Sequence, residues 1–406
     1  MTIMRHLYFS LIIISFSTTL MAQWVQVADF PGLERDDLVA FTCDEKAFVG
    51  TGMQTGYQVT NDFYRYDPIV NQWQAIANMP GVARQYAFSF SFDNVGCVFA
   101  GINQQGNDIK DGFQYSAQSE SWNSLNSYPG AGSRGCAAAN LNNFGYAGLG
   151  RSDDNLLHND WWKFDVNGNT WQQLSNFPGA ARNLASCFES NGFIYVVGGI
   201  GANDIAFNDI WQYNPNSDLW QQIISSSIQP FGSAAVCKTK FSGLMFGGYD
   251  GLSTYYNSAF QFDGFNNSIS NLIPFTGVGI KGAKAFSLNN EFYFTCGINQ
   301  NNLRLKSTWK YTQINATNEN FIDTNLLALM PNPANEQFQI IINHNSIHHF
   351  YKYSVSTLNN TIIISDAIPK TLNKIIVCTD DLAAGFYIVK VISEDLEITQ
   401  KLLIYK

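Results

Sequence analysis

Four arginines each follow a Pro-Gly dipeptide within a few residues. They are Arg35 after Pro31-Gly32, Arg84 after Pro80-Gly81, Arg134 after Pro129-Gly130 and Arg182 after Pro178-Gly179. Two further copies of the stretch offer Phe231 and the pair Lys281 and Lys284. A guanidinium is a planar fork that donates two parallel hydrogen bonds to a carboxylate, whereas an ammonium acts as a point charge. Arg35, Arg84, Arg134, Arg182, Lys281 and Lys284 are therefore the candidate ligand-binding residues, and an anionic ligand suits them. The arginines equally suit a structural role, pairing with Glu34, Asp36, Asp37 or backbone carbonyls to brace their loops. Both readings stay open. An enzyme would need an acid or base deep beside these cations, and spacing places none, so no catalytic residue is assigned.

Cysteine and histidine suggest no cofactor. Cys43, Cys97, Cys136, Cys187, Cys237 and Cys296 lack close, regular spacing such as Cys-x-x-Cys, which argues against a metal cluster or stapled framework. Small buried thiols are the expectation, with one disulfide conceivable in an oxidising compartment. His344, His348 and His349 stand together without an acidic or sulfur cluster and read as a solvated hairpin. Asn61-Asp62, Asn159-Asp160 and Asn208-Asp209 read as turn caps rather than Ca²⁺ ligands.

The scaffold that positions these residues is written as a 49-residue period. Trp24, Trp73, Trp122, Trp171 and Trp220 keep that interval, as do Gly52, Gly101, Gly150, Gly199, Gly248 and Gly297. Tyr66, Tyr115, Phe164, Tyr213, Phe262 and Tyr311 share the phase, each with a second aromatic two residues before it. Aromatic-x-aromatic puts both rings on one face of a strand. Each unit reads as four strands: an apolar first, a second ending at glycine, an aromatic third and a fourth that opens with Trp. The terminal glycines are expected to leave room for a neighbouring ring against the backbone. The Trp24 strand precedes the first complete unit, and the last unit, Lys281 to Ile314, reaches only its third strand. The N-terminal strand is therefore expected to complete the last unit and remove an open sheet edge.

Gly-Gly after an apolar strand, then aromatic-Asp-Pro as in Tyr66-Asp67-Pro68, then Trp, resembles the kelch repeat over residues 24–314. The resemblance implies an all-β, six-bladed β-propeller. Ser226 and Ser227 in place of Pro-Gly, and Ile269-Ser270 in place of the sixth Trp, depart from it locally. Kelch blades also occur in a copper oxidase whose site takes two His ligands with tyrosines. The repeats here hold one His, His158, so that chemistry is rejected.

The two ends read differently from the repeats. Residues 1–22 form a basic lead with Arg5, an apolar stretch Leu7 to Leu20, and Ala22 before the cleavage point, the pattern of a removable signal peptide. Residues 315–325 are polar and read as a linker. From 326 to 406, Pro331-Asn332-Pro333-Ala334, Gly385-x-Tyr387-x-Val389 and the Lys-rich end resemble the type A C-terminal sorting domain of the type IX secretion system. Leu358-Asn359-Asn360 stands where that family has a Gly-containing turn. The resemblance implies a small immunoglobulin-like β-sandwich, contact with the secretion machinery, and release or attachment at the cell surface.

Only 14% of residues are charged against 15% aromatic, and the net charge of −9 argues against nucleic acid. No segment of the mature chain is long and apolar enough to span a bilayer. Variable polar loops between second and third strands, beside the cations, look like a recognition surface on a rigid scaffold. The expected function is a secreted or surface-held binding protein that recognises a glycan, peptide or protein through one face. The alternative is a kelch-type sugar-acid mutarotase or epimerase that holds a carboxylate through the arginines.

Overall fold

The computed structural model describes residues 23–223, 228–239, 242–264, 267–312, 327–330, 334–342, 351–357, 361–369, 374–393 and 397–404. The leader, the linker, the His344–His349 cluster, Ser226-Ser227 and Leu358–Asn360 lie outside them. The described elements are strands and one short 3-10 turn, Ala202–Asp204. The protein is all-β. No described helix is long and apolar enough to cross a membrane. The strands fall into two units, within Leu20–Ile314 and Asn315–Lys406.

The first unit holds six four-stranded antiparallel sheets. Sheet one runs Val39–Cys43, Lys46–Gly50, Phe63–Asp67 and Gln72–Ile76. The next four repeat that order at 49-residue steps, starting with Phe88–Ser91, Ala137–Leu141, Ser186–Ser190 and Ala235–Lys238. Sheet six takes Lys284–Leu288, Glu291–Thr295 and Thr308–Thr312 from one end of the unit, and Gln23–Val27 from the other. Each first strand neighbours the first strand of the following sheet, and Lys284–Leu288 neighbours Val39–Cys43.

Aromatic packing joins consecutive sheets. The Trp73, Trp122, Trp171 and Trp220 indoles each donate to a carbonyl 45 residues earlier: Ala28, Ala77, Asn126 and Ser175. Trp24 makes the matching bond to Ile273 at 3.0 Å and packs on Phe246, Phe294 and Tyr311. Phe41, Phe90 and Phe188 lie against Gly96, Gly145 and Gly243 of the next sheet, where a Cβ would come within 2.4 Å of a ring carbon. The room for a neighbouring ring is thus made by these mid-strand glycines. The terminal glycines serve another need: Gly52 and its five equivalents turn the chain at φ between 91° and 105°, pressed on backbone or side-chain atoms other than rings.

A second set of turns lies at the start of the first strands. Asp37, Tyr86, Gly135, Leu184, Ser233 and Gly282 all have φ between 55° and 66°. The N–H of each donates to the carbonyl of the one before it, and Asp37 N–H donates to Gly282. Four of the six carry side chains in a region that costs about 1 kcal/mol or more each, so the hydrogen-bonded chain must hold them there.

The second unit has a three-stranded sheet, Leu327–Met330, Gln337–Ile342 and Lys374–Cys378. Its other sheet is Ile362–Ala367, Lys352–Thr357, Gly385–Ile392 and Glu397–Ile404. Phe338 and Ile340 from the first sheet share a core with Val355, Val389 and Leu402 from the second. Alternation drives this arrangement, because residues at spacing two along Gly385–Ile392 face one side of the sheet.

Candidate functional site

Arg35, Arg84 and Arg182 are fully buried, which corrects their place among the candidate ligand-binding residues and favours the bracing role that the sequence left open. Each Nε donates to the carbonyl two residues earlier, at Leu33, Val82 and Ala180. Each Nη1 donates to a second-strand end, at Thr51, Ala100 and Gly198. Each also pairs with the aspartate 27 residues on, at 2.5 Å: Asp62, Asp111 and Asp209. For Asp62, burial works to raise the carboxyl, but the hydrogen bond and charge of Arg35 outweigh it and hold it below the usual range. The guanidinium planes lie near Phe30, Phe113 and Phe177. The glycine of Pro-Gly leaves room for the brace in two copies, since a Cβ on Gly32 or Gly81 would stand 2.5 Å from the arginine Nη2, whereas on Gly130 or Gly179 it would meet the Tyr128 or Phe177 ring. The Asn members of the Asn-Asp pairs do bind turns: Asn61, Asn159 and Asn208 donate to Met79, Phe177 and Ile228 carbonyls. Their aspartates have other work. Asp62 and Asp209 hold arginines, while Asp160 accepts from Ala131 N–H and the Trp162 indole.

Arg134 behaves otherwise because it is one residue out of phase. The in-phase position is Ser133, so Arg134 aligns with Asp36, Gln85, Asn183, Gly232 and Lys281. These bridge, antiparallel, to the residue that follows each terminal glycine: Arg134 to Arg151, Gly232 to Tyr249 and Lys281 to Ile298. A further bridge brings in Val59, Asp108, Leu157, Ala206, Tyr255 and Arg304. The loops before the first strands and those after the second strands therefore share one face, as expected.

Four cations gather on that face. Lys281 Nζ stands 4.0 Å from the Tyr249 ring centre and 4.9 Å from that of Tyr255. Arg304 Nε donates to Asp36 at 2.6 Å, and its guanidinium lies 4.8 Å from the Tyr57 ring centre. Arg134 Nη2 donates to the Ser152 carbonyl and to Asn155. Among the described residues neither Arg134 nor Arg151 has an ion pair, and the Nε of both is buried without a hydrogen-bond partner there. Around them the loop tips expose Tyr57, Leu156, Ile205, Leu252 and Leu303. His158, in the same loop as Arg151, is hydrogen-bonded to Ser152.

Lys284 is not part of this face. It lines a cavity of about 520 Å³ with Asp37 and Tyr86, so its grouping with the other candidate cations is corrected. Burial, with Asp36 adding to it, pushes the Asp37 carboxyl up to about 8. The charge of Asp37 and burial raise Tyr86, and burial lowers Lys284. The cysteines are free, and burial pushes the thiols of Cys43, Cys97 and Cys296 up to about 12. No three metal-binding side chains cluster among the described residues.

Sequence reasoning missed Arg151, Arg304, Tyr249 and Tyr255. The available signal was their phase: Arg151 and Tyr249 directly follow Gly150 and Gly248.

Residues 40–243, half of the chain, match the KLHDC2/KLHL20/DRC7 Kelch-repeats domain, and residues 328–405 match the Secretion system C-terminal sorting domain. The chain is similar to N-acetylneuraminate epimerase from Haemophilus influenzae strain PittEE and from strain 86-028NP, at 44% identity over 54 residues. The matched stretch is 12% of this chain and only 14% of either relative. Among solved structures it is similar to one described as "Structure of YjhT", with TM-score 0.60 and 14% identity over 70% of this chain and 95% of that one. At that identity the likeness speaks for the fold.

Proposed function

The chain belongs to the kelch-repeat family, and we propose that it is an exported six-bladed propeller whose loop face binds an acidic segment of a peptide or protein partner. Closure through Gln23–Val27 is part of this reading, supported by the strand pairing with Thr308–Thr312 and by the Trp24 bond to Ile273. The type IX sorting domain at residues 328–405 implies export to the surface or beyond, with the secretion machinery as one partner. A signal peptide at 1–22 and an immunoglobulin-like form for the sorting unit fit the same reading.

The observation that carries the binding reading is the Arg134–Arg151 pair. Two guanidinium groups sit on bridged backbones, with no carboxylate among the described residues ion-paired to either. Like charges so placed repel, and a bound anion relieves the repulsion. The exposed leucine, isoleucine and tyrosine tips around them suit the apolar flanks of a peptide, and patches of that kind mark interaction sites.

Fluorescence anisotropy with acidic and basic peptides of matched apolar content tests this. Acidic peptides should bind, more weakly as salt rises. Arg134→Ala together with Arg151→Ala should weaken them at least about tenfold, the loss of one charged hydrogen bond or more. Equal binding by the double variant would overturn the reading.

A second reading has its own support, the short match to N-acetylneuraminate epimerase. In it the same cations hold the carboxylate of a sugar acid. NMR of N-acetylneuraminate anomers decides the point, since an epimerase speeds their interconversion and a binding protein does not.

A further inference from the structure

We propose that the central cavity is a second ligand site, separate from the loop face, that takes a sugar ring, a small, hydroxyl-rich, uncharged molecule. Its volume of about 520 Å³ falls within the range of small-molecule pockets, about 300–1,000 Å³. Its floor is the hydrogen-bonded chain of left-handed residues from Asp37 to Gly282, and its wall is the first strands, up to the hairpin turn at Asn289-Asn290. The lining contains neither Asp36 nor Arg134 nor Lys281, so the cavity lies on the far side of that chain from the loop face.

The lining chemistry selects the ligand class. At the floor, Asp37 and Tyr86 line the cavity together, and Lys284, half-buried, has no hydrogen-bond partner among the described residues. Burial drives the Asp37 carboxyl and the Lys284 ammonium both toward their neutral forms. As an ion pair or as a neutral pair the two leave no net charge, and burial disfavours the one other state, Asp37 neutral beside a charged Lys284. Nearer the outlet, Glu189 is paired with Lys238 at 3.1 Å, again with no charge left over. Asn140 accepts from Ser91 N–H, and its amide hydrogens have no partner among the described residues. Such a lining holds no ion strongly, yet it offers donors and acceptors side by side. A hydroxyl is both at once, and neighbouring hydroxyls on a sugar ring span a carboxyl and an amine together. Small wall residues such as Ala138 leave room for the ring and an apolar strip for its C–H face.

The test uses the full chain with glucose, galactose, mannose and N-acetylglucosamine, by saturation-transfer NMR and thermal melting. At least one sugar should show transfer and raise the melting temperature. Lys284→Met should weaken that sugar about tenfold or more, as should Asn140→Ala, which keeps the test alive if the lysine variant does not fold. An acidic peptide on the loop face should not compete with it. Failure of all four sugars, unchanged affinity in both variants, or competition by the peptide would overturn the proposal. Because the loop-face reading is tested with peptides, either site can fail without the other.

Discussion

The Asp37 N–H donates to the Gly282 carbonyl at 2.9 Å, across 245 residues of sequence. Five equivalent bonds, at 2.7 to 3.1 Å, link the intervening left-handed residues at 49-residue steps. The first and last units of the repeat are thus tied at the centre by backbone, as they are at the periphery by the pairing of Gln23–Val27 with Thr308–Thr312.

Deleting residues 23–30 should therefore abolish the single cooperative melting transition. The deletion strips Thr308–Thr312 of its outer partner and removes Phe30, which packs on Tyr64 and Trp73. Calorimetry of the truncated chain checks this. A normal transition would mean that the N-terminal strand is dispensable.

The buried arginines should report on stability and not on binding. Arg182→Ala leaves Asp209 without its fork and should cost about 3 kcal/mol, the scale of breaking a buried pair. Arg84→Ala should cost less, because the Asp111 side chain is 38% exposed against 20% for Asp209. Arg182→Lys should also destabilise, since an ammonium cannot reach both carboxylate oxygens and the Gly198 carbonyl. Urea midpoints and peptide affinity measured on the same samples separate the two roles. Unchanged midpoints with lost binding would reverse the assignment.

Asp37 should make stability depend on pH in a defined direction. Its folded carboxyl titrates near 8, far above its ordinary value of 3.8, because burial and Asp36 disfavour the charge. The folded chain holds a proton there that the unfolded chain releases. Stability from this group is complete below about pH 3.8 and is lost as pH rises through 8. Asp37→Asn cannot titrate, so its urea midpoint should gain on the wild type steadily across that window. Parallel curves would mean that Asp37 stays ionised, held by Lys281, Lys284 and Tyr86.

Removing residues 326–406 should leave a folded repeat unit that stays inside the outer membrane. The sorting unit has its own core, in which Phe338, Val355 and Leu402 are buried, so the cut removes no packing from the repeats' own clusters. Fractionation of cells that carry the truncated gene checks this. Normal levels in the medium would refute the role of the sorting domain.

The sequence by itself determined the scaffold. A 49-residue phase held by Trp, Gly and paired aromatics is a local pattern, and each copy must form the same four strands to bury its rings. The sorting domain was legible for the same reason, through Gly385, Tyr387 and Val389 on one strand. The candidate site was legible only by type. That cations collect near the Pro-Gly loops could be read, but which of them face a ligand could not. A one-residue slip separates Arg134 from the phase of Arg35, Arg84 and Arg182, and along an extended chain one residue reverses the side of the backbone. Tertiary structure alone decided that three guanidinium groups turn inward to aspartates 27 residues away, while Arg134 meets Arg151 across a bridge. It also decided where Lys284 goes, because only the hydrogen-bonded chain from Asp37 to Gly282 divides the cavity from the loop face.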